Sequence, residues 1–178
     1  MTEDDARDWI RSRYDVSRET LPEPAVSLPA SSRFYAFSAG IPPAVAVDPG
    51  AVVELHTADC FSGQIGDERT LLTDIDRRKA NPATGPIFVR GAAPGDTLAV
   101  EILRLCPEPR GLSVTTRGMG FLGDQVRLTR TRMVGIETGV AVWGVWRLPV
   151  RPMLGVIGVA PDSGEAPSGT TTAIFHSI

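Results

Sequence analysis

Apolar and polar residues alternate most regularly from Thr97, where Leu98, Val100 and Ile102 face one way and Thr97, Ala99 and Glu101 the other. That is the period of a strand with one buried face. Ahead of it, residues 87–90 read Ile-Phe-Val-Arg, a short strand, and Ala93-Pro94-Gly95-Asp96 follows. Pro and then Gly at the two central positions is the signature of a type II β-turn, because Gly takes a positive φ cheaply. Asn81-Pro82-Ala83-Thr84-Gly85-Pro86 is a second turn that no helix carries, since each proline lacks an amide donor and biases its predecessor toward extended backbone. Residues 81–102 therefore predict a strand, a tight turn and a strand.

The same alternation recurs elsewhere. After Asp48-Pro49-Gly50, another Pro-Gly turn, Val53, Leu55 and Thr57 share one face of a predicted strand and Glu54, His56 and Ala58 the other. Residues 125–133 alternate Val126 and Leu128 with Arg127, Arg130 and Arg132, a ribbon with a solvated basic face. Strands are also expected over residues 140–148, around Trp143 and Trp146, and over 154–159, an apolar run broken by Gly155 and Gly158. Helical spacing occurs twice. Trp9, Ile10 and Tyr14 make a narrow stripe in residues 1–17, and residues 66–80 read as a polar surface helix ended by Pro82. Residues 18–32 contain Pro22, Pro24 and Pro29 and read as an extended linker, while 110–124 read as a Gly-rich loop. Gly118-Met119-Gly120-Phe121-Leu122-Gly123 lacks the Lys-Ser/Thr of a phosphate-binding loop.

The expected fold is mainly β, a sandwich or distorted barrel of short antiparallel strands with one or two peripheral helices. Its divisions are an arm and linker at 1–32, a β domain at 33–165, and a divergent tail at 166–178 expected to lack order. With 178 residues, 18 Gly and 15 Pro, the chain suits one domain rich in turns. A formal net charge of −3 argues against a general nucleic-acid binder. Cys60 and Cys106 provide no disulfide framework, and no apolar run is long enough to span a bilayer. Cytoplasmic residence with free thiols is the default expectation.

Three ordered blocks then resemble one known family. The first is Val47-Asp48-Pro49-Gly50, Val52-Val53-Glu54-Leu55, Asp59 and Gly63-Gln64-Ile65. The second is Asn81-Pro82-Ala83-Thr84-Gly85-Pro86-Ile87 with Gly91-Ala92-Ala93-Pro94-Gly95-Asp96-Thr97-Leu98. The third runs Pro152-Met153-Leu154-Gly155-Val156-Ile157-Gly158-Val159-Ala160-Pro161. Together they are similar to the acetamidase/formamidase family over residues 34–165. The resemblance implies a hydrolase that releases ammonia from a short linear amide, its small-molecule partner, and leaves a homo-oligomer open. It also implies a longer chain, with a Gly-rich His-Gly-Gly-Asn-type segment after the third block. Here Pro167-Ser168-Gly169 is followed by Thr170-Thr171-Thr172, which leaves a shifted reading frame, a truncation and a genuinely short homologue open. The alternative is a truncated, non-catalytic homologue serving as a binding or assembly module.

Amide hydrolysis needs an activated water or nucleophile, a stabiliser for the oxyanion and a proton for the departing ammonia. A divalent metal, zinc or calcium, would supply the first two and is the expected cofactor. Asp59 and Gln64 are the candidate catalytic residues, Asn81 and Gly63 the candidate substrate contacts, and His56 with Asp59 the candidate metal ligands. Asp59 is out of phase with His56 on an uninterrupted strand, so a bend near Ala58 is required. For each there is a plainer role. Asp59 would accept backbone amides in a turn, Gln64 and Asn81 would cap their own turns, and Glu54 and His56 would be ordinary strand residues. Cys60, beside no evident His-Asp pair, reads as a small hydrophobe rather than a nucleophile.

Overall fold

A computed structural model describes residues 20–168, so the expected helix at 1–17 and the end of the tail lie outside the described residues. In chain order the first strands are β1 (Val26–Leu28), β2 (Arg33–Phe34), β3 (Ala36–Phe37), β4 (Val45–Val47), β5 (Val53–Leu55), β6 (Ala83–Thr84) and β7 (Ile87–Val89). They are followed by β8 (Arg110–Thr115), β9 (Arg130–Glu137), β10 (Val140–Trp143), β11 (Trp146–Pro149) and β12 (Ala166–Pro167). The fold is mainly β, as expected, but built from several small sheets. Two of the pairings are parallel, and the described residues form no closed barrel.

The described residues fall into two compact units. One gathers Ile65–Ile75 with Ile102–Met153; the other gathers Pro22–Gln64, Asp76–Glu101 and residues 154–168. In the second unit β1 runs parallel to β5 and β4 parallel to β7. β2 pairs antiparallel with β6, and β3 with β12. The stretch read as a linker thus contributes β1, and the tail begins with a paired strand. Two-residue strands bury little by themselves, so side chains stitch them together. Phe37 and Ala83 are buried, with Phe34, Val156 and Ala166 packed against them. The Phe34 and Phe37 rings meet edge to face at 5.3 Å, the arrangement favoured by the ring quadrupole.

The Pro-Gly turns form as the residues require. Asp96 N–H donates to the Ala93 carbonyl at 3.0 Å, and Gly95 sits at φ +98°. Ala51 N–H closes the Pro49-Gly50 turn on Asp48 in the same way. A Cβ at position 95 would meet nothing within 4 Å, so a Gly95→Val change meets only the backbone penalty. It should cost about 1 kcal/mol; an unchanged urea midpoint would contradict the left-handed turn.

The first unit holds the largest sheet, β8 to β11 in sequence order, all antiparallel. The expected strand over residues 140–148 is instead a hairpin, β10 and β11 joined through Gly144-Val145 with Trp143 opposite Trp146. Residues 110–115, read as loop, form β8. The helix expected over 66–80 is absent apart from a single 3₁₀ turn at Arg77–Lys79. The cause is local chemistry. The Asp67 carboxylate accepts Arg69 N–H and Thr70 N–H, Asp74 accepts Leu71 N–H, and Asp76 accepts Arg78 N–H. Short acidic side chains have outcompeted the helical backbone. Thr131, buried on β9, donates to the Thr70 carbonyl at 2.6 Å, and Glu68 accepts Met133 N–H at 2.9 Å, so the turn-rich segment is laced to the sheet.

The strands expected over residues 97–102 and 154–159 do not join any ladder. Leu98, Val100 and Ile102 are all exposed, and so are Ile157 and Val159. The alternation is present in the sequence, yet the described residues provide no neighbour for it.

Candidate functional site

Asp59 governs its loop through two short bonds. One carboxylate oxygen accepts Phe61 N–H and the other Gly63 N–H, both at 2.7 Å. Charged acceptors make the stronger backbone bonds, and these pull residues 59–64 into a tight curl. Ser62 N–H donates to the Asp59 carbonyl and Gln64 N–H to that of Phe61. The curl forces Ser62 to φ +57° and Gly63 to φ +76°, and for serine that region is uncommon and costly. Asp59 therefore fills the turn role weighed for it. Each oxygen keeps a further lone pair, and the residue is exposed.

Gln64 anchors the curl to a second segment. Its Nε2 donates to the Phe61 carbonyl at 2.9 Å and to that of Asp76 at 3.2 Å, while Oε1 accepts Asp76 N–H at 2.9 Å. The Asp76 carboxylate in turn pairs with the Arg78 guanidinium, which holds it below the usual carboxylate range. Gly63 N–H is already taken by Asp59, so it has no donor left for a substrate.

Asn81 lies on that second segment. Its N–H donates to the Cys60 carbonyl at 2.7 Å, and it sits at φ +53°. Its side-chain amide makes no hydrogen bond among the described residues. Ser62 Oγ donates to the Lys79 carbonyl at 2.7 Å and must then accept from Tyr35 Oη at 3.2 Å, since a carbonyl only accepts. Ser168, almost fully buried, contacts the Asn81 and Tyr35 carbonyls through its hydroxyl at 2.6 and 2.9 Å. The structure thus brings Asp59, Gln64 and Asn81 onto one bonded pair of loops. Tyr35, Ser62 and Ser168 tie that pair together, and sequence reading passed over all three. The Asp-x-x-Ser-Gly spacing at 59–63 could have suggested Ser62; nothing local marks Ser168.

His56 stands apart. Its N–H donates to the Leu28 carbonyl beside β5, and its Nε2 lies 3.5 Å from a Glu54 carboxylate oxygen, both side chains more than half exposed. β5 ends at Leu55, so neither His56 nor Asp59 lies on a strand. A divalent cation of the zinc type asks for at least three protein donors. Among the described residues no group of three or more His, Cys, Asp or Glu side chains comes together. His56 and Asp59 alone supply two such donors, fewer than a zinc site needs among the described residues.

Cys60 sits within the curl, but desolvation by its neighbours and the adjacent Asp59 charge push its thiol up. A neutral thiol is a poor nucleophile. Cys60 and Cys106 are both free and exposed. Alkylation without prior reduction should label both in intact-mass spectra; a mass two protons light, with neither labelled, would mean a bridge.

Comparison with known proteins gives a consistent result. Residues 30–168 match the sequence model described as the Acetamidase/Formamidase family. The acetamidase of Mycolicibacterium smegmatis is 34% identical over 99 residues, covering 47% of this chain and 24% of that protein. The formamidase of Methylophilus methylotrophus is 34% identical over 92 residues, covering 47% of this chain and 23% of that protein. Among solved structures, the acetamidase of Bacillus halodurans superimposes with a TM-score of 0.73 at 33% identity, over 81% of this chain and 49% of that one. A predicted acetamidase/formamidase from Thermoanaerobacter tengcongensis gives 0.71 at 38% identity, over 82% and 48%. The chain thus spans about half the length of these solved relatives and about a quarter of the curated ones.

Proposed function

Because the chain belongs to the acetamidase/formamidase family, we propose that it provides part of the site of an amidase acting on short linear amides. In that reaction water adds to the carbonyl carbon, the C–N bond breaks, and the nitrogen leaves as ammonia. The observation that carries the reading is the bond from Asn81 N–H to the Cys60 carbonyl. It holds the Asn81 side-chain amide and the exposed Asp59 on adjoining loops. The Asn81 amide would donate to the substrate carbonyl oxygen and strengthen that bond as negative charge develops there. The remaining lone pairs of Asp59 would accept from the substrate NH₂ or orient a water. Gln64 acts at one remove, fixing the curl against Asp76. None of these steps is routed through a metal, since the described residues do not assemble one.

Since the chain spans about half of its solved relatives, turnover by this chain alone is expected to be low. The test is a chimera in which residues 30–168 replace the matching stretch of the Bacillus halodurans acetamidase. It should release ammonia from formamide or acetamide, and Asn81→Ala should lower kcat about 100-fold. A folded chimera with no turnover, or full activity after Asn81→Ala, would sink the assignment.

A further inference from the structure

Strand β9 outruns its partner β10, which pairs with it only from Gly135 to Glu137. Beyond Gly135 the hairpin of β10 and β11 continues to its Gly144-Val145 tip, and the Met133 N–H is taken instead by Glu68 Oε1 at 2.9 Å. The notch so formed is a cavity of about 530 Å³, whose lining includes Glu68, Arg132, Met133, Trp143, Val145 and Trp146. That volume lies within the range of small-molecule sites, which combine apolar walls with a few polar groups. Trp143 and Trp146 stand directly opposite each other in the hairpin, so both indoles lie on one face of it. They remain 44% and 66% exposed, much indole to leave in water for a residue type that is usually well covered.

The polar end of the cavity is charge-balanced. Glu68 Oε2 lies 3.7 Å from an Arg132 guanidinium nitrogen, beyond hydrogen-bond reach, and both side chains are about half exposed. Among the described residues neither that oxygen nor the guanidinium makes a hydrogen bond. A ligand bearing one charge would meet one like charge here, whereas a zwitterion meets an opposite charge at each end. In an α-amino acid the ammonium and the carboxylate sit on directly bonded carbons, close enough to engage neighbouring partners together. We propose that this cavity binds a free α-amino acid with an aromatic side chain. Its ammonium donates to Glu68 Oε2, its carboxylate accepts from the Arg132 guanidinium, and its ring packs against the indoles. All the lining residues belong to the first unit, and none of them takes part in the proposed amide hydrolysis.

The test is a titration of the 178-residue chain with L-phenylalanine, followed by tryptophan fluorescence and calorimetry and read without any activity assay. Saturable binding with a Kd below about 10 mM is expected. Phenethylamine, 3-phenylpropanoate and glycine lack the carboxylate, the ammonium and the ring in turn, and each should bind at least about tenfold more weakly. Arg132→Met and Trp146→Ala should each weaken phenylalanine binding by about tenfold or more in the calorimeter. If either variant fails to fold, the analogue series on the native chain decides alone. No binding up to about 10 mM, an analogue that binds as tightly as phenylalanine, or folded variants that bind as the parent does would each overturn the proposal.

Discussion

Gln64→Glu should destabilise the protein by about 2–3 kcal/mol at neutral pH, and the loss should shrink as the pH falls. The change alters no volume, so packing cannot be its cause. The Gln64 amide is held in one orientation by its partners: two carbonyls face Nε2 and one N–H faces Oε1. The substitution keeps the acceptor for Asp76 N–H but removes both donations, and it sets a negative oxygen against the Phe61 and Asp76 carbonyls. Those carbonyls favour the protonated acid, so the new carboxyl has a raised pKa in the folded state. A raised folded pKa means that the folded protein binds the extra proton first. Stability relative to the parent therefore recovers as the pH drops through that raised value, opposite to the usual acid loss of carboxylates with depressed values. Urea midpoints of parent and variant at pH 7 and pH 5 measure it. Equal midpoints at pH 7, or a gap that widens on acidification, would show that Gln64 does not bridge the loops as described.

Gly123→Ala should be comparably damaging, for a steric reason. A Cβ there would lie 2.7 Å from the Gly118 carbonyl carbon and 3.1 Å from its Cα. Both obstacles are backbone, and both are pinned, since Gly118 N–H donates to the Gly123 carbonyl at 3.0 Å. No side-chain rotation relieves the clash, so the loop must open at a cost of about 2–3 kcal/mol. Gly135→Ala provides the control. Its Cβ would meet nothing within 4 Å, and a strand position loses nothing by gaining a methyl group. If the two variants unfold at the same urea concentration, the tight closure of residues 118–123 is wrong.

Sequence reading succeeded where a feature is decided by neighbours in the chain. The Pro49-Gly50 and Pro94-Gly95 turns were legible because proline and glycine restrict their own backbone. Residues 66–80 misled because polarity alone fits a surface helix; which carboxylate captures which amide depends on geometry two or three residues away. The parallel partners β1 with β5 and β4 with β7 could not be read, since no alternation pattern names its neighbour. Of the candidate site, Asp59, Gln64 and Asn81 were placed through a family-like pattern, and hydrogen bonds join the loops that carry them. The ties made by Tyr35 and Ser168 were hidden. They span 27 residues from Tyr35 to Ser62 and 133 from Ser168 to Tyr35.

That last separation bears on the order of assembly. The sheet from β8 to β11 is a succession of near neighbours that can zip as it emerges. Tyr35, by contrast, must wait 133 residues for the hydroxyl that reaches its carbonyl. Loop closure over such a distance is paid in chain entropy before any contact rewards it, and such contacts form late. During synthesis on the ribosome, β3 therefore keeps an open flank while the intervening residues are made, the interval in which a nascent chain is most prone to mispair. Pulse-labelling hydrogen exchange during refolding should show β8–β11 amides protected before that of Ser168, and the reverse order would refute this sequence of events.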